Sequence, residues 1–310
     1  MCATAKQRFA ARLLLLPCLT LLVMVPTFAR AASATGISVK QQLTTISDSE
    51  FRDIANRARR GDAGAQAALG VAYEEGIHVQ KDMNEAIKWY RRAAGQGIAD
   101  VQHHLGLMYE EGRGVMRDFG EAAGWYRKAA ALGHAPSQCN LGTMYVEGRG
   151  VPRDLEQAAK WFEVAARQGD AQAQSNIGYM YNYGQGVAQD YGQAVEWYRK
   201  SAEQGFSIAQ KNLGIMYAHG LGVEKDEHEA LRWFASAAEH GLARAWVNQA
   251  MLYMQGSQVP HDYDRAEKLL SQAIAAGEED AKPLLQRCRD ARARATAVET
   301  SQQHPPQKSF

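Results

Sequence analysis

Apolar and polar residues alternate along most of this chain with the period of an amphipathic helix. In the stretch 99–111, Val101, Leu105 and Met108 recur every three or four positions, which places them on one helix face. Gly112 follows directly, and a glycine after a helix is typical of the left-handed residue that ends it. The pattern therefore predicts a first helix over about 99–111.

A second helix is predicted between Asp118 and Gly133. Asp118 is a favourable N-cap residue, and Glu121 three positions later completes the sequence of a capping box. Apolar side chains then follow at helical spacing, at Ala122, Trp125, Tyr126 and Ala129. The stretch 99–133 thus encodes a pair of helices joined by a short loop.

The same pattern recurs six times at a step of 36 residues, without an insertion. The tyrosines that keep this step are Tyr73, Tyr109, Tyr145, Tyr181, Tyr217 and Tyr253. The aspartates are Asp82, Asp118, Asp154, Asp190, Asp226 and Asp262. The tryptophans are Trp89, Trp125, Trp161, Trp197 and Trp233, with Leu269 in the sixth place. A fixed period of this length predicts an all-α solenoid of stacked helix-turn-helix repeats.

Five repeats carry a glycine inside the first helix, where glycine costs about 1 kcal/mol relative to alanine. They are Gly70, Gly106, Gly142, Gly178 and Gly214. We expect each to pack against a bulky aromatic residue of the second helix that leaves no room for a Cβ atom. The sixth repeat has Ala250 instead of glycine and Leu269 instead of tryptophan, which fits a pairing of the glycine with the tryptophan.

The first 31 residues have the pattern of a secretory signal peptide. Basic Lys6, Arg8 and Arg12 precede the apolar run 13–25, and Ala29-Arg30-Ala31 supplies a cleavage site. We expect export to the periplasm or the outside of the cell. An uncleaved inner-membrane anchor stays open as an alternative, although the apolar run is short for a membrane span.

The rest of the chain divides around the repeats, which occupy residues 62–278. Residues 32–46 are expected to form a flexible leader, and residues 47–61 an N-terminal capping helix. Residues 279–294 are expected to form a C-terminal capping helix, since the end repeats of such arrays need a polar outer face. The polar segment 295–310 is expected to be a disordered tail.

The composition of the chain limits the classes of function that we expect. The chain is 46% hydrophobic and 22% charged, as in ordinary folded proteins, and its net charge of +1 gives no attraction to nucleic acid. Removal of the signal peptide takes away four basic residues and no acidic one, which leaves a mildly acidic chain. The remaining Cys139 and Cys288 lie in distant repeats, so we expect no bridge between them. We expect no cofactor and no metal, and a monomer.

Two local motifs resemble ligand sites but fit a structural role better. The Gly112-x-Gly114 pair follows a helix and lacks a third glycine, whereas a dinucleotide site follows a strand; we interpret it as a turn. His103 and His104 point about 100° apart on a helix, so they do not share one metal ion.

The repeat resembles the Sel1-like repeat. The segment AQAQSNIGYMYNYGQGVAQDYGQAVEWYRKSAEQG at 171–205 follows that pattern throughout, and the resemblance covers 62–278. It implies a right-handed α-solenoid related to tetratricopeptide repeats. It also implies an adaptor or scaffold for protein complexes, including exported bacterial proteins that engage envelope or host proteins.

Some cysteine-rich proteins with similar repeats are linked to penicillin binding or β-lactam hydrolysis. They carry a cysteine pair in each repeat, which this chain lacks. Ser-x-x-Lys, Gly-x-Ser-x-Gly, His-Glu-x-x-His and Walker A patterns are also missing from the sequence. We therefore expect a non-catalytic scaffold. A cell-wall or β-lactam hydrolase and a modulator or inhibitor of an envelope enzyme stay open as alternatives.

By analogy with tetratricopeptide repeats, the first helices line a concave groove that binds a protein or peptide of unknown identity. An asparagine series on these helices either holds a peptide backbone or makes hydrogen bonds between helices, and both interpretations stay open. The candidate partner-binding residues are His103, His104, Leu107, Glu110, Glu111, Asn140, Thr143, Glu147, Asn176, Tyr179, Asn182, Tyr183, Lys211, Asn212, His219 and Asn248.

The chemistry of this predicted groove changes along the chain. Its N-terminal end is expected to be acidic, because five glutamates end the first helices there: Glu74, Glu75, Glu110, Glu111 and Glu147. Further on, Tyr179 and Tyr183 are four residues apart and should share a helix face. Tyrosine is favoured at binding hot spots, which makes this pair a candidate anchor.

Overall fold

The structure, a computed structural model, describes residues 39–303, and its side chains up to residue 296. These residues form stacked helix pairs with fifteen α-helices, one short 3-10 helix at Glu279–Ala281 and no strand. The predicted signal peptide at 1–31 lies outside the described residues. The α-helices are α1 Val39–Thr45, α2 Asp48–Arg59, α3 Ala63–Glu75, α4 Met83–Gly95, α5 Ala99–Glu111, α6 Phe119–Ala131, α7 Ala135–Glu147, α8 Leu155–Arg167, α9 Ala171–Tyr183, α10 Tyr191–Glu203, α11 Ser207–His219, α12 Glu227–Glu239, α13 Arg244–Gln255, α14 Tyr263–Ala275 and α15 Lys282–Gln303.

The chain divides into two compact units, the first ending at Ala173 and the second beginning at Gln174. In the first unit, each helix from α2 to α8 packs against the next one along the chain. The helices from α10 to α15 do the same in the second unit. In each of the six repeats, an odd-numbered helix comes first and an even-numbered helix follows; we call these the first and second helix of the repeat.

The loop between the two helices of a repeat is fixed at its start by a left-handed glycine and at its end by an aspartate that caps the next helix. Gly112 takes the left-handed conformation at φ 75° after α5, as the sequence predicts. Asp118 caps α6 by accepting hydrogen bonds from the Gly120 and Glu121 N–H groups. The capping box is not completed by Glu121, because the Asp118 N–H donates to the Tyr109 carbonyl at 2.9 Å. This bond recurs in all six repeats and ties the second helix to the first.

The glycine inside the first helix does pack against an aromatic ring, but the ring is not that of the tryptophan. A Cβ atom on Gly142 would lie 2.7 Å from Cε1 of Phe162, the residue after Trp161. The residue after the tryptophan is the contact in every repeat that has the glycine. Phe162 is fully buried, whereas Trp161 is half-buried. The prediction of a close contact is confirmed, and its assignment to tryptophan is wrong.

The sixth repeat closes its loop differently. Gly256 has φ −62°, so the left-handed residue expected at this position is missing. The buried carboxylate of Glu227 instead accepts hydrogen bonds from the N–H groups of Ser257, Gln258 and Val259, at 2.7–3.1 Å. Burial opposes ionisation, but bonds from Lys225 and these N–H groups lower the pKa of Glu227 to about 2. A carboxylate thus holds the loop that glycines form elsewhere.

Both ends of the array contain more helix than the sequence suggests. The segment predicted as a flexible leader includes α1, because Val39 and Leu43 are buried against the array and the Leu43 carbonyl lies 2.9 Å from His78 Nε2. At the other end, the helix predicted to stop at residue 294 continues to Gln303, into the predicted tail. Cys288 is a free, buried thiol, so it forms no bridge with Cys139.

Candidate functional site

The structure buries many of the residues that the sequence places on a binding surface. The buried ones are His104, Asn140 and Thr143 in the first unit and Asn176, Lys211 and Asn212 in the second. The half-buried ones are His103, Leu107 and Glu110 in the first unit and Tyr179, Asn182 and Asn248 in the second. The exposed ones are Glu111 and Glu147 in the first unit and Tyr183 and His219 in the second.

A buried carboxylate links the two helices of the first repeat. Glu74 accepts a hydrogen bond from the Tyr90 hydroxyl at 2.6 Å, and His104 Nε2 lies 2.9 Å from the same oxygen. Burial raises the pKa of Glu74, but the bond and charge of His104 and the bond of Tyr90 outweigh it and lower the pKa to about 2. Glu74 is therefore an ionised, internally bonded carboxylate rather than a free binding group.

The asparagine series repeats this arrangement with a neutral partner. In the next repeat, the Tyr126 hydroxyl donates to Glu110 at 2.7 Å and is also hydrogen-bonded by Asn140. In the second unit, Asn182 and Asn212 lie near the Tyr198 hydroxyl, but this hydroxyl is buried and has no hydrogen-bond partner among the described residues. Asn140 therefore contributes to the contacts between helices, and for Asn212 both interpretations stay open.

The polar residue and the tyrosine hydroxyl occur together. Where the aromatic residue of the second helix is tyrosine, the opposing residue of the first helix is polar: Glu74 and Tyr90, Glu110 and Tyr126, Asn182 and Tyr198. Where it is phenylalanine, the opposing residue is apolar: Val146 and Phe162, Ala218 and Phe234. At Tyr90 and Tyr126 the opposing residue is the hydrogen-bond partner of the buried hydroxyl, which a phenyl ring does not need.

We expect Phe162→Tyr to destabilise the first unit. Its hydroxyl would be buried opposite Val146, which offers it no hydrogen bond, at a cost of about 1–3 kcal/mol. A second change, Val146→Glu, places there the residue that accepts from Tyr90 and Tyr126 and should recover most of the loss. Urea unfolding followed by circular dichroism measures both effects. Equal stability of Phe162→Tyr and the unaltered protein would contradict the pairing.

The negative charge of the acidic end predicted for the groove is partly offset by cations of the same unit. Arg113 forms an ion pair with Glu111 at 2.6 Å and reaches Glu74 at 3.7 Å. Arg149 pairs in the same way with Glu147 and with Glu110. Lys40 pairs with Glu75 at 2.8 Å. All five glutamates thus have a cationic or histidine partner, but three cations face five carboxylates, so the surface keeps only part of the negative charge that the sequence predicts.

Two histidines of the first unit, His103 and His134, form a half-buried cluster with Ser137. Ser137 Oγ lies 2.9 Å from Nδ1 of both His103 and His134, and His134 Nε2 lies 3.1 Å from Asp100. Burial, together with the nearby His134 and His104, lowers the pKa of His103 to about 3. His103 is therefore neutral, not the solvated group that the sequence suggests. Within residues 39–296, no cluster of His, Cys, Asp or Glu has the composition of a metal site.

The Ser137, His134 and Asp100 contacts have the order of a hydrolase triad but the geometry of a helix cap. His134 Nδ1 accepts a hydrogen bond from the Ser137 N–H at 3.2 Å, as the N-cap of α7. The Ser137 side chain is fully buried, so its hydroxyl is not presented to a substrate. The cluster is therefore explained by packing and capping at the start of α7.

Lys211 is a buried cation in the second unit. Burial and the nearby Arg244 lower the pKa of its ammonium group to about 8, although Glu278 opposes them. Arg244 is itself paired with Glu278 at 3.0 Å and with Asp280. Lys211 is thus a buried side chain, only 7% exposed, rather than a solvated cation.

Tyr179 and Tyr183 lie together on the surface of the second unit. Their ring centroids are 4.5 Å apart with the planes tilted by 44°, so the prediction of a shared face is confirmed. Tyr183 is 40% exposed, while Tyr179 packs its ring partly against the core beside α11. We call these two residues the tyrosine pair.

An open apolar pocket follows the tyrosine pair along the first helices of the second unit. Its volume is about 240 Å³, and its lining includes Ile215, His219, Asn248, Met251 and Leu252. Ile215 and Met251 occupy the position of Tyr179 in the next two repeats, and His219 that of Tyr183. Met251 is 36% exposed. The Asn248 Nδ2 donor is buried and has no partner among the residues described. We call the set Tyr179, Tyr183, Ile215, His219 and Met251 the docking face.

The fold consists of stacked helix pairs with side chains displayed from the first helices. This architecture is that of helical-repeat proteins. The Sel1 repeat family matches residues 63–98, 99–134, 135–170, 171–206, 207–242 and 248–278. These matches span most of the sequence, and the chain belongs to the Sel1 repeat family. Comparison with the curated proteins found no match.

Two solved structures are similar to this chain. One is a protective antigen with an SLR fold, present in uropathogenic Escherichia coli strains; it is 40% identical, with a TM-score of 0.70, over 76% of this chain and 50% of that one. The other is a Sel1 repeat protein from Oxalobacter formigenes, 36% identical with a TM-score of 0.65, over 80% of this chain and 73% of that one. The chain thus spans half the length of the E. coli protein. Over residues 39–303, none of the helices is long and apolar enough to cross a membrane.

Proposed function

We propose that this protein is a non-catalytic scaffold that binds a protein or peptide through the docking face of its second unit. The observation that carries the proposal is the tyrosine pair, of which Tyr183 is exposed and Tyr179 half-buried, followed by an open pocket on the next first helices. Tyrosine gives a large contact area at a low entropic cost, and binding hot spots are enriched in it. Rigid stacked helices also lower the cost of ordering the site for a partner.

The first unit supports this choice by contrast. At the positions equivalent to the docking face it has Val71 and Thr143, which are buried, and half-buried Leu107. Its glutamates form ion pairs with Lys40, Arg113 and Arg149. A partner gains little where polar groups are already satisfied, because binding would only exchange one bond for another.

We further propose that the protein acts outside the cytoplasm. The support is the signal-peptide pattern at residues 1–31 and the similarity to a protein described as a protective antigen. Affinity capture performed on separated periplasmic and extracellular fractions would identify the partner and the compartment together.

The double variant Tyr179→Ala with Tyr183→Ala should lose its partner while it stays folded. Removing two hot-spot tyrosines costs about 2–4 kcal/mol of binding, a loss of about 30-fold or more. The measurement is affinity capture with the purified protein, quantified by mass spectrometry, with circular dichroism to check the helix content.

The matched control is Met116→Ser with Leu132→Ser, which removes two other exposed apolar side chains, 88% and 56% exposed, from the first unit. This control should capture the same proteins as the unaltered chain. If the tyrosine variant retains its partners and the control loses them, the docking surface lies in the first unit and the proposal fails.

A further inference from the structure

An open pocket lies at the N-terminal end of the first unit, between α2 and the helix pair of α3 and α4. Its apolar lining includes Phe51, Leu69, Tyr73 and Trp89. Its volume is about 340 Å³, which leaves room for about ten non-hydrogen atoms at the roughly 30 Å³ that one molecule takes in liquid water. We call this cavity the α2 pocket.

The α2 pocket is open because the first repeat lacks an arginine that other repeats have. Arg91 donates to the Tyr109 hydroxyl in the second repeat, and an equivalent bond of 3.0 Å forms in the fifth. The corresponding residues of the first repeat are Ala55 and Tyr73, which both line the pocket, and alanine is too short to fill the space. The sixth repeat also has an alanine there, but the Arg265 guanidinium covers its tyrosine ring, 4.8 Å from the centroid.

Two arginines of α2 give the α2 pocket a positive side. Arg52 and Arg59 are exposed residues of the lining, seven positions apart on one helix face. Arg52 Nε donates to the Asp48 carbonyl at 3.2 Å, and Arg59 Nη1 donates to a neighbouring amide oxygen at 2.9 Å, so both bonds leave the charge uncompensated. The Arg92 guanidinium adds a third positive charge, 4.4 Å from the centroid of the Trp89 ring.

The carboxylates on the surrounding helices are paired with other groups or point elsewhere. Asp48, at the start of α2, pairs with His78 Nδ1 at 2.9 Å. Glu85, on α4, pairs with Lys88 at 2.6 Å. Asp53 follows an arginine of the lining by one position and therefore lies about 100° around the helix from it. The lining itself, as the structure describes it, contains two guanidinium groups and no carboxylate, so it is complementary to an anion.

We propose that the α2 pocket binds a small organic anion, with an apolar ring inside the pocket and a carboxylate held by Arg52 and Arg59. Three lining side chains are aromatic, and burying apolar surface against them supplies the main gain in free energy. The fork of a guanidinium matches the two oxygens of a carboxylate, which fixes the orientation of the ligand. The pocket belongs to the first unit, so this inference does not depend on the docking face.

The probe for this site is phenylacetate, whose roughly ten non-hydrogen atoms match the volume of the pocket. Phenylacetamide is the matched control ligand, because it has the same shape and no charge. Both are titrated against the full chain by ligand-observed NMR. We expect phenylacetate to bind with a Kd on the order of 1 mM. Phenylacetamide should bind about tenfold more weakly or less, because charge-assisted hydrogen bonds are the stronger ones.

The variant Ala55→Arg should close the α2 pocket with the side chain that other repeats carry. The new guanidinium should bond the Tyr73 hydroxyl, as Arg91 bonds that of Tyr109, and weaken phenylacetate binding by about tenfold or more. The variant should stay folded, because α4 and α10 have arginine at the same position. Thermal melting checks this.

A second variant removes the charge and leaves the packing in place. Arg52→Gln with Arg59→Gln changes two exposed side chains and should weaken phenylacetate by about tenfold, with phenylacetamide binding unchanged. The matched control, Arg60→Gln with Arg127→Gln, removes the same charge from exposed positions outside the lining. It should bind phenylacetate as the unaltered protein does.

The proposal is overturned if phenylacetate does not bind, or if phenylacetamide binds equally well. Phenylacetate binding that Ala55→Arg leaves unchanged would place the ligand outside the α2 pocket and overturn it as well. Binding that the Arg52→Gln, Arg59→Gln variant leaves unchanged would refute the role of the arginines, and this variant decides the test if Ala55→Arg does not fold. Each of these results leaves the docking face of the second unit as proposed.

Discussion

Phe162→Ala is expected to lower the free energy of unfolding by about 3–5 kcal/mol, the cost of truncating a large core side chain. Phe162 is fully buried and its ring lies directly on the Gly142 backbone, so the protein cannot refill the space without moving α7. Trp161→Ala, one residue away, should cost less, about 1–2 kcal/mol, because the indole is only half-buried.

Other tryptophans of the series show why truncating the tryptophan is expected to cost less stability than truncating the phenylalanine. The Lys128 ammonium lies 3.9 Å from the Trp125 ring centroid, and the Lys200 ammonium lies 4.3 Å from that of Trp197. A cation thus covers one face of each of these indoles, and Trp125, like Trp161, is half-buried, whereas Trp197 is buried. The comparison of Phe162→Ala with Trp161→Ala by urea unfolding tests the assignment. A larger loss for Trp161→Ala would put the tryptophan in the core and refute it.

Gly142→Ala should also be strongly destabilising, although alanine is the better helix former. The new Cβ atom would lie 2.7 Å from Phe162, closer than real contacts allow, so the ring or the helix must shift. Overpacking of this kind costs about 1–3 kcal/mol. The matched control is Gly124→Ala within α6, where no heavy atom lies within 4 Å of the Cβ position. There the same change should stabilise by up to about 1 kcal/mol.

The sixth repeat supplies a second variant that repairs the clash. It has Ala250 where the third repeat has Gly142, and Leu270 where the third has Phe162. Adding Phe162→Leu to Gly142→Ala should therefore recover part of the lost stability, measured as a coupling energy in a double-mutant cycle. Purely additive effects of the two changes would show that the glycine and the ring are not a packed pair.

The helix pairs were predictable because they depend on signals that lie close together in the sequence. The 36-residue step, the glycine after each first helix and the aspartate before each second helix fix the ends of the elements without reference to tertiary contacts. Gly112 and Asp118 adopt the predicted roles. Gly256 does not, because Glu227, about thirty residues earlier, binds its loop, and a contact of that range has no local signal.

The faces of the helices were harder to predict than their ends. Trp161 and Phe162 are adjacent and both aromatic, so their direction depends on how α8 rests on α7, which the periodic pattern alone does not settle. The sequence did contain a usable signal: tyrosine alternates with phenylalanine in step with the polar or apolar residue 16 positions earlier, as in Glu110 with Tyr126 and Val146 with Phe162. That correlation identifies the buried ring.

Only part of the candidate site could be predicted, because here too the surroundings of a side chain depend on how the helices pack. The side chains of His104, Asn140 and Lys211 are polar, and the sequence alone does not tell a solvated polar group from one bonded to a neighbouring helix. The acidic end was predicted from glutamates, but the paired Arg113 and Arg149 come from the following loops. The tyrosine pair was predictable because residues four apart share a helix face whatever the neighbours do.

The most direct test of the docking face is site-specific photo-crosslinking in living cells. A photoreactive phenylalanine derivative is placed in turn at positions 183 and 251 on the docking face, and at positions 116 and 132 in the first unit. We predict that one partner is crosslinked from 183 and 251 and not from 116 or 132, and that Tyr179→Ala reduces the product from 251. Crosslinking from 116 and 132 alone would place the partner elsewhere and contradict the proposal.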